Sequence, residues 1–262
     1  MKKIIFTALI VTLMIFSSCA NKVTTQVKSS DNAATKPEVK QVATTDEKTP
    51  AKASIKTIVI DPGHASHANL NKEANAPGSN VMKIKDGGGA TGITTHTPEY
   101  AINMKVAMKL KNLLENQGYK VIMTKSENSV SLGNIERAEV GNSANAALVI
   151  RIHADSSTSS SVNGASLLVP AKINSNTNAI SDISLKYGKI ILNTLTSTVG
   201  MKNDGVVSKS DMTGFNWSKV PVVLVEMGFL SNSNEDKLLN SDSYQNKIAS
   251  ALAIGIKVAM HN

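Results

Sequence analysis

Three short apolar runs rich in Val and Ile constrain the fold of this chain more than any other feature. They cover residues 57–61, 147–152 and 220–225, and each is bounded by polar or turn-forming residues. Little polar alternation interrupts them, which is typical of strands that are covered on both faces. Together they predict the central strands of one sheet with helices on both sides.

A side chain with metal-binding or acid–base chemistry follows each of these runs. His64 comes shortly after the first, His153 directly after the second and Glu226 directly after the third. Open α/β sheets build their sites at the carboxyl ends of their strands, so side chains far apart in the sequence can converge there. We therefore expect these three residues to lie close together.

A predicted helix contributes a fourth candidate, Glu99. Thr97 is a candidate N-cap, Pro98 suits the first helical position, and Glu99 lies in the first turn of a helix that runs to Gln117. Apolar residues repeat along it with helical spacing, and Gly118 provides a C-terminal stop. If this helix packs antiparallel to the strands, it brings Glu99 to the same edge of the sheet.

The remaining chain after residue 55 alternates between strand and helix patterns. Further strands are predicted over residues 119–124 and 165–169, and further helices over residues 132–144, 180–199 and 243–260. Such alternation predicts one α/β domain, residues 55–262, with a mostly parallel or mixed central sheet and helices on both faces. We expect residues 65–96 to form a hinge or loop, because their glycine run lacks the Gly-Lys-Ser/Thr sequence of a phosphate loop.

The first 54 residues predict export. A basic start, an apolar segment over residues 4–16 and small residues before Cys19 are typical of a secretory signal over residues 1–19. Cys19 is the only cysteine and lies where bacterial lipoproteins are lipidated, so we expect a lipid anchor at the outer face of the cytoplasmic membrane. The alternative is an ordinary cleaved signal with an incidental cysteine. Residues 20–54 are polar, lack aromatic side chains and predict a disordered linker.

Net charge argues against nucleic-acid binding. The chain carries +8 overall, but the signal and linker hold eight of its 28 basic and four of its 20 acidic residues, which leaves +4 for residues 55–262. Only Arg137 and Arg151 are arginines, and aromatic residues are scarce, whereas nucleic-acid surfaces are rich in both. The mild excess of positive charge is compatible with an anionic cell wall.

His64, Glu99 and His153 form a donor set that suits catalytic zinc. Such zinc commonly has three nitrogen or carboxylate ligands and an open position for water, whose pKa falls to about 7 on the metal. A second carboxylate can accept the proton of that water and return it to a leaving amine, and Glu226 would have that role. Each residue also has an ordinary structural reading, as a hydrogen-bonded His or a helix-capping Glu. Spacing alone, without a compact motif such as HExxH, leaves both readings open.

Five sequence blocks in order strengthen the hydrolase hypothesis. They are Asp61-Pro62-Gly63-His64, Pro98-Glu99-Tyr100 with Asn103, and residues 132–145, 151–155 and 225–232. Together they resemble the zinc-dependent N-acetylmuramoyl-L-alanine amidases of the third amidase family over residues 55–260. The resemblance implies a mixed sheet flanked by helices, zinc ligands at His64, Glu99 and His153, and a catalytic acid at Glu226. It also implies hydrolysis of the amide between N-acetylmuramic acid and L-alanine in peptidoglycan.

The sequence departs from the family pattern in several places. Residues 65–85 are additional residues between the first histidine and the glycine run, and they add His67 and Glu73 as possible competing ligands. Asp155 stands where the family often has Asn, and Tyr100 where Lys is frequent. Local substrate contacts are therefore expected to differ.

Four further polar residues have roles that the sequence leaves open. Asp61 could orient the ring of His64 as a hydrogen-bond acceptor, or could simply end its strand. Arg137 could bind substrate carboxylates, or could form a salt bridge between a helix and the sheet. We expect His67 and His96 to be loop residues.

Two other function classes fit the same residues. A wall-binding protein would use an amidase-like domain to hold glycan or peptide without cutting it, but loss of activity would be expected to remove a ligand or Glu226, and none is missing. An exported zinc peptidase would cleave other amides. The expected partners of an amidase are peptidoglycan and Zn²⁺, with the chain acting as a monomer.

Overall fold

The structure is a computed structural model, and it describes residues 55–262. In this part of the chain the elements are β1 (Thr57–Pro62), β2 (Asn69–Ala74), β3 (Met82–Asp86), α1 (Glu99–Asn116), β4 (Lys120–Met123), α2 (Asn134–Ser143), β5 (Leu148–Asp155), β6 (Ala165–Pro170), α3 (Ser175–Val199), β7 (Asn203–Lys209), α4 (Thr213–Asn216), β8 (Val222–Phe229), α5 (Ser233–Leu239) and α6 (Asp242–His261). The predicted signal, Cys19 and the linker lie outside the described residues. Within the described part, no helix is both long enough and apolar enough to cross a membrane.

Six strands form the central sheet, in the order β4-β1-β5-β8-β6-β7. Neighbouring strands are parallel except for β6 and β8, which are antiparallel. The three runs rich in Val and Ile become β1, β5 and β8, which are adjacent parallel strands in the middle of this sheet. Their carboxyl ends therefore lie side by side at one edge. The predicted α/β class with a mixed sheet is confirmed.

Successive side chains of the central strands enter two apolar cores, one on each face of the sheet. The larger core joins one face to α1, α3 and α6, and the smaller core joins the other face to α2 and α4. Val149 of β5 and Val222 of β8 belong to the smaller core. Because side chains alternate with a period of two, Arg151, His153 and Glu226 lie on that same face.

Residues 65–96 are not the open loop that the sequence predicted. They contain an antiparallel hairpin of β2 and β3, which is separate from the central sheet. Glu73 accepts a hydrogen bond from the Asn134 N–H at the start of α2 (2.7 Å), and the Trp217 indole donates to the Ala74 carbonyl (2.9 Å). The prediction failed because most side chains of this hairpin are exposed, so no apolar alternation marks its strands.

Three smaller elements were not predicted, α3 begins at Ser175 and not at the predicted residue 180, and the N-cap of α1 differs. β7, α4 and α5 are short or partly exposed segments whose sequences lack a clear apolar period. In α1, Pro98 and not Thr97 occupies the N-cap position, and no side chain caps the helix. Gly118 follows α1 with a φ of 87°, as expected of a C-terminal stop.

Candidate metal centre

Adjacent strands position three of the four candidate residues. His153 of β5 is the register partner of Glu226 of β8, so their side chains leave neighbouring strands on the same face. Both strands continue beyond these residues, which therefore lie inside the strands and not just after them as the sequence predicted. His64 follows β1, and the preceding Gly63 N–H donates to the Ile152 carbonyl of β5 (2.9 Å).

Glu99 reaches the same place as the first residue of α1, and both oxygens of its carboxylate are held. Oε2 accepts the Ala90 N–H (2.9 Å). Oε1 accepts the Ala154 N–H (3.2 Å) and the Asn103 side-chain amide (3.0 Å). These donors come from the segment after the glycine run, from β5 and from α1, so the carboxylate is fixed only once all three have assembled.

The structure brings the three predicted ligands together. One potential ligand atom from each of His64, Glu99 and His153 lies within 4.8 Å of the other two, and in residues 55–262 no other group of His, Cys, Asp or Glu has this spacing. His153 Nδ1 is 3.1 Å from Glu99 Oε1, and His64 Nε2 is 3.4 Å from Glu99 Oε2. We call these three residues the metal cluster.

Asp86, which sequence reasoning left in a loop, orients the ring of His64. His64 Nδ1 donates to Asp86 Oδ1 (2.7 Å), and the same oxygen accepts the Gly88 N–H (2.9 Å). An ionised carboxylate can only accept, so Nδ1 carries a proton toward Asp86 and Nε2 lies on the Glu99 side of the ring. The only sequence signal for Asp86 is that it precedes the glycine run. Its contact with His64 could not be predicted, because it depends on how the hairpin packs.

The donor atoms of the metal cluster fit a divalent metal ion. His64 Nε2 and Glu99 Oε2 lie 3.4 Å apart. Two ligands bound at about 2.1 Å to a tetrahedral zinc ion would be separated by about 3.4 Å. His153 Nε2 is buried and has no hydrogen-bond partner among the described residues. Gly89 keeps this space open, because a Cβ there would lie 2.7 Å from Glu99 Oε2.

The protonation states expected near neutral pH also suit metal ligands. Burial lowers the pKa of His153 to about 4, against the opposite effect of Glu99, so the imidazole is neutral. Burial alone would raise the pKa of Glu99, but the His153 hydrogen bond, the charges of His153 and His64, and the Ala90 N–H outweigh it and hold the pKa at about 2. A neutral imidazole and a carboxylate are the forms that coordinate metals.

Glu226 lies beside the metal cluster. Its Oε2 atom is buried without a hydrogen-bond partner in the part of the chain that the structure describes. Burial raises the pKa of Glu226 well above the usual carboxyl range, the charges of Glu99 and Asp155 raise it further, and Arg151 opposes them. A carboxyl group with a raised pKa is suited to act as a general acid or base.

Asp61 and Arg137 belong to a second buried group, which we call the salt-bridge cluster, made of Asp61, Arg137 and Arg151. The Asp61 carboxylate accepts from Arg137 Nη1 (2.7 Å), Arg151 Nε (2.8 Å) and the Thr124 hydroxyl (2.6 Å). The role considered for Asp61, as acceptor for the His64 ring, is therefore taken by Asp86. The helix-to-sheet salt bridge considered for Arg137 is present.

The competing side chains of the insertion lie outside the metal cluster. Glu73 caps α2, and His67 lines a surface groove with Asn69 and Leu70. His96 is exposed, and its main chain has a φ of 56° in a turn. Both histidines are loop residues, as predicted.

The chain matches known proteins over the whole region that contains these residues. Residues 58–258 match the family described as N-acetylmuramoyl-L-alanine amidase. The amidase AmiC of Neisseria meningitidis serogroup B is 28% identical over 237 residues, which cover 76% of this chain and 51% of that protein. The amidase Rv3717 of Mycobacterium tuberculosis is 25% identical over 219 residues, which cover 79% of this chain and 88% of that protein. This chain thus spans about half the length of AmiC.

Solved structures share the same fold. The amidase Ami1 of Mycobacterium smegmatis superposes with a TM-score of 0.71 at 22% identity, over 79% of this chain and 97% of that one. The CwlD amidase of Clostridioides difficile, solved in complex with the GerS lipoprotein, superposes with a TM-score of 0.64 at 28% identity, over 79% of this chain and 98% of that one. The mixed sheet and its flanking helices are therefore a known architecture.

Proposed function

Because this chain belongs to the N-acetylmuramoyl-L-alanine amidase family, we propose that it hydrolyses the amide between N-acetylmuramic acid and L-alanine in peptidoglycan. Water adds across the C–N bond, so the lactyl group of the sugar leaves as a carboxylate and L-alanine leaves with a free amine. One observation carries the proposal further than the family match alone. The metal cluster and Glu226 converge inside the matched region, although they are far apart in sequence.

In this proposal His64, Glu99 and His153 hold a zinc ion. When bound, the ion supplies a Lewis acid that polarises the amide carbonyl and lowers the pKa of water. The chain's own contribution is to fix the donors before substrate arrives. Asp86 holds one ring, Glu99 holds the other, and main-chain N–H groups hold Glu99.

Glu226 handles the protons of the reaction. Burial raises its pKa, so the carboxyl group holds a proton more tightly than a free carboxyl group does. Glu226 accepts a proton from the attacking water and delivers it to the amide nitrogen as the C–N bond breaks, so the leaving group departs as an amine. A cavity of about 120 Å³ lies beside His64 and His153.

We also propose that the protein is exported and faces the cell wall. The basic and apolar pattern of residues 1–19 supports export, and the mild positive charge of residues 55–262 is compatible with an anionic wall. The lipid anchor at Cys19 and the monomeric state stay predictions.

Digestion of peptidoglycan by the purified protein tests this function. With zinc we expect stem peptides that carry a free L-alanine amine, identified by mass spectrometry, and about one zinc per chain by elemental analysis. His153→Ala is expected to lose both zinc and activity, whereas His67→Ala, a control at an exposed histidine, keeps both. Cleavage inside the stem peptide would identify a zinc peptidase, and binding without cleavage would identify a wall-binding protein. Either result overturns the proposal.

A further inference from the structure

His64 has a main-chain conformation that residues with side chains rarely adopt. Its φ is +58°, and among the described non-glycine residues only His96 and Asn145 also have a positive φ. Such a conformation persists only where the surrounding structure holds it. A metal ligand in this conformation therefore needs contacts that fix both its main chain and its ring.

Lys125 supplies the main-chain contact. Its ammonium group donates to the His64 carbonyl, and the residue is only 4% exposed. The segment that carries it is attached to β1, because the Thr124 N–H donates to the Ile60 carbonyl (3.0 Å) and the Thr124 hydroxyl donates to Asp61 (2.6 Å). Burying the ammonium group of a lysine lowers stability. The contact of Lys125 with the His64 carbonyl therefore indicates a role other than packing.

Asp86 supplies the ring contact. Its side chain is 4% exposed, and it lies at the end of β3. The hairpin that carries it is anchored to α2, where Asn134 donates to the Lys85 carbonyl (2.8 Å) and to Glu73 (3.0 Å). The position of Asp86 is thus set by the hairpin and by α2, whereas Lys125 follows β4.

We propose that Lys125 and Asp86 are positioning residues that hold His64 from two sides, through its carbonyl and its ring Nδ1, and thereby set the metal affinity of the centre. The inference rests on the proposed function, because it takes His64 as a metal ligand. Both residues act through His64 and not on the reacting atoms. The hairpin that ends at Asp86 therefore contributes to the metal centre.

Zinc affinity, measured by competition with a chelating dye, tests the proposal on the full chain. Lys125→Met and Asp86→Ala are each expected to weaken zinc binding about ten- to hundredfold, the usual effect of losing a residue that orients a metal ligand. Asp86→Asn, which keeps an acceptor oxygen, is expected to lose less. The double variant should lose less than the product of the single losses, because both contacts hold one residue. Lys109→Met, at a lysine paired with Asp242 on α6, is the control.

Two further readouts separate positioning from a general loss of structure. The zinc-free variants are expected to melt close to the zinc-free parent, and at saturating zinc their KM is expected to match that of the parent. Zinc affinities of Lys125→Met and Asp86→Ala that equal the parent's would overturn the proposal. If Lys125→Met does not fold, the zinc affinities of Asp86→Ala and Asp86→Asn are compared with that of the parent in the same way. A parent that binds no zinc would refute the metal site of the proposed function too, whereas a zinc-binding parent with unaffected variants refutes only the positioning role.

Discussion

Two buried polar clusters lie on the same side of the central sheet, and they differ in how their carboxyl groups are paired. In the salt-bridge cluster, Arg137 and Arg151 occupy both oxygens of Asp61, at 2.7 and 2.8 Å, although Arg137 Nη2 has no hydrogen-bond partner among the described residues. Around the metal cluster, His153 Nε2 and Glu226 Oε2 are buried without partners among the described residues. Arg151 and His153 are only two residues apart on β5, so neither burial nor location explains the difference.

The pKa values of the two buried acids move in opposite directions. Burial alone would raise the pKa of Asp61, but the charges of Arg137 and Arg151 outweigh it and hold the pKa well below its usual range. Burial raises the pKa of Glu226, and nearby carboxylates add to that rise. Buried polar atoms without partners lower stability. In the proposed function, a bound ion or substrate supplies partners for His153 Nε2 and Glu226 Oε2, whereas the ion pairs of Asp61 contribute to the fold.

The largest expected effect is on catalysis. Glu226→Gln should lower kcat about 10²- to 10⁴-fold, because the carboxamide cannot transfer a proton, while zinc binding is retained. The measurement is the rate of stem-peptide release together with the zinc content. Glu235→Gln is a matched control, because burial raises the pKa of Glu235 as well but this residue binds the Gly164 and Phe229 N–H groups outside the metal cluster. Near-normal turnover of Glu226→Gln would refute the role of Glu226.

The next largest expected effect is on the free energy of unfolding, and it concerns the salt-bridge cluster. Asp61→Asn removes the charge that compensates two buried arginines, and it should lower the free energy of unfolding by about 3–5 kcal/mol. Urea unfolding measures this loss. Asp182→Asn, which breaks an exposed pair with Lys172, should change the same quantity by less than about 1 kcal/mol. Similar values for both variants would contradict the distinction between the clusters.

Low pH should lower the free energy of unfolding through Asp61. The pKa of Asp61 is lowered on folding, so its contribution to stability is fully present above the unfolded pKa of 3.8 and is lost as the pH falls toward the folded pKa. Glu99, with a folded pKa of about 2, acts in the same direction below its unfolded pKa of 4.5. Urea unfolding of the zinc-free protein between pH 7 and pH 3 checks this. The disadvantage of Asp61→Asn should shrink as the pH falls through this window, and a constant disadvantage would count against the assignment.

The smallest expected effect is on the free energy of unfolding. Removing the charge of Glu226 should raise it, whereas removing the charge of Asp61 lowers it. Because its pKa is raised on folding, Glu226 lowers stability once the pH rises above its unfolded pKa of 4.5, and Gln removes that cost. Zinc-free Glu226→Gln should therefore be more stable than the parent at pH 7 by about 0.5–2 kcal/mol, with a smaller difference at pH 4. A variant less stable than the parent at pH 7 would show that Glu226 is held by the fold in the same manner as Asp61.

The central architecture was predictable because it depends on local patterns. Val and Ile runs identified β1, β5 and β8, and the rule that parallel strands end at one edge predicted that His64, His153 and Glu226 converge. The start of α1 added Glu99, and the ordered blocks pointed to a family that the match over residues 58–258 confirms. The metal and proton roles of these residues stay predictions.

The second layer of the site was not predictable. Asp86 lay in a segment that looked like a loop, because β2 and β3 have mostly exposed side chains. Lys125 resembled any surface lysine, since its burial depends on a fit against His64 and β1. Asp61 was considered for the role that Asp86 has, because nearness in sequence was the only available guide.

Sequence alone determined the order of the central strands and main helices, the α/β class and the candidate residues for binding a metal or carrying a proton, because these follow from side-chain periodicity and chemistry within short segments. Tertiary structure alone decided which polar atoms are paired, which acid orients His64 and which pKa values rise or fall. Those properties depend on distances of a few ångströms between segments far apart in the chain, and the hydrogen bonds and charges that set them exist only after the segments pack.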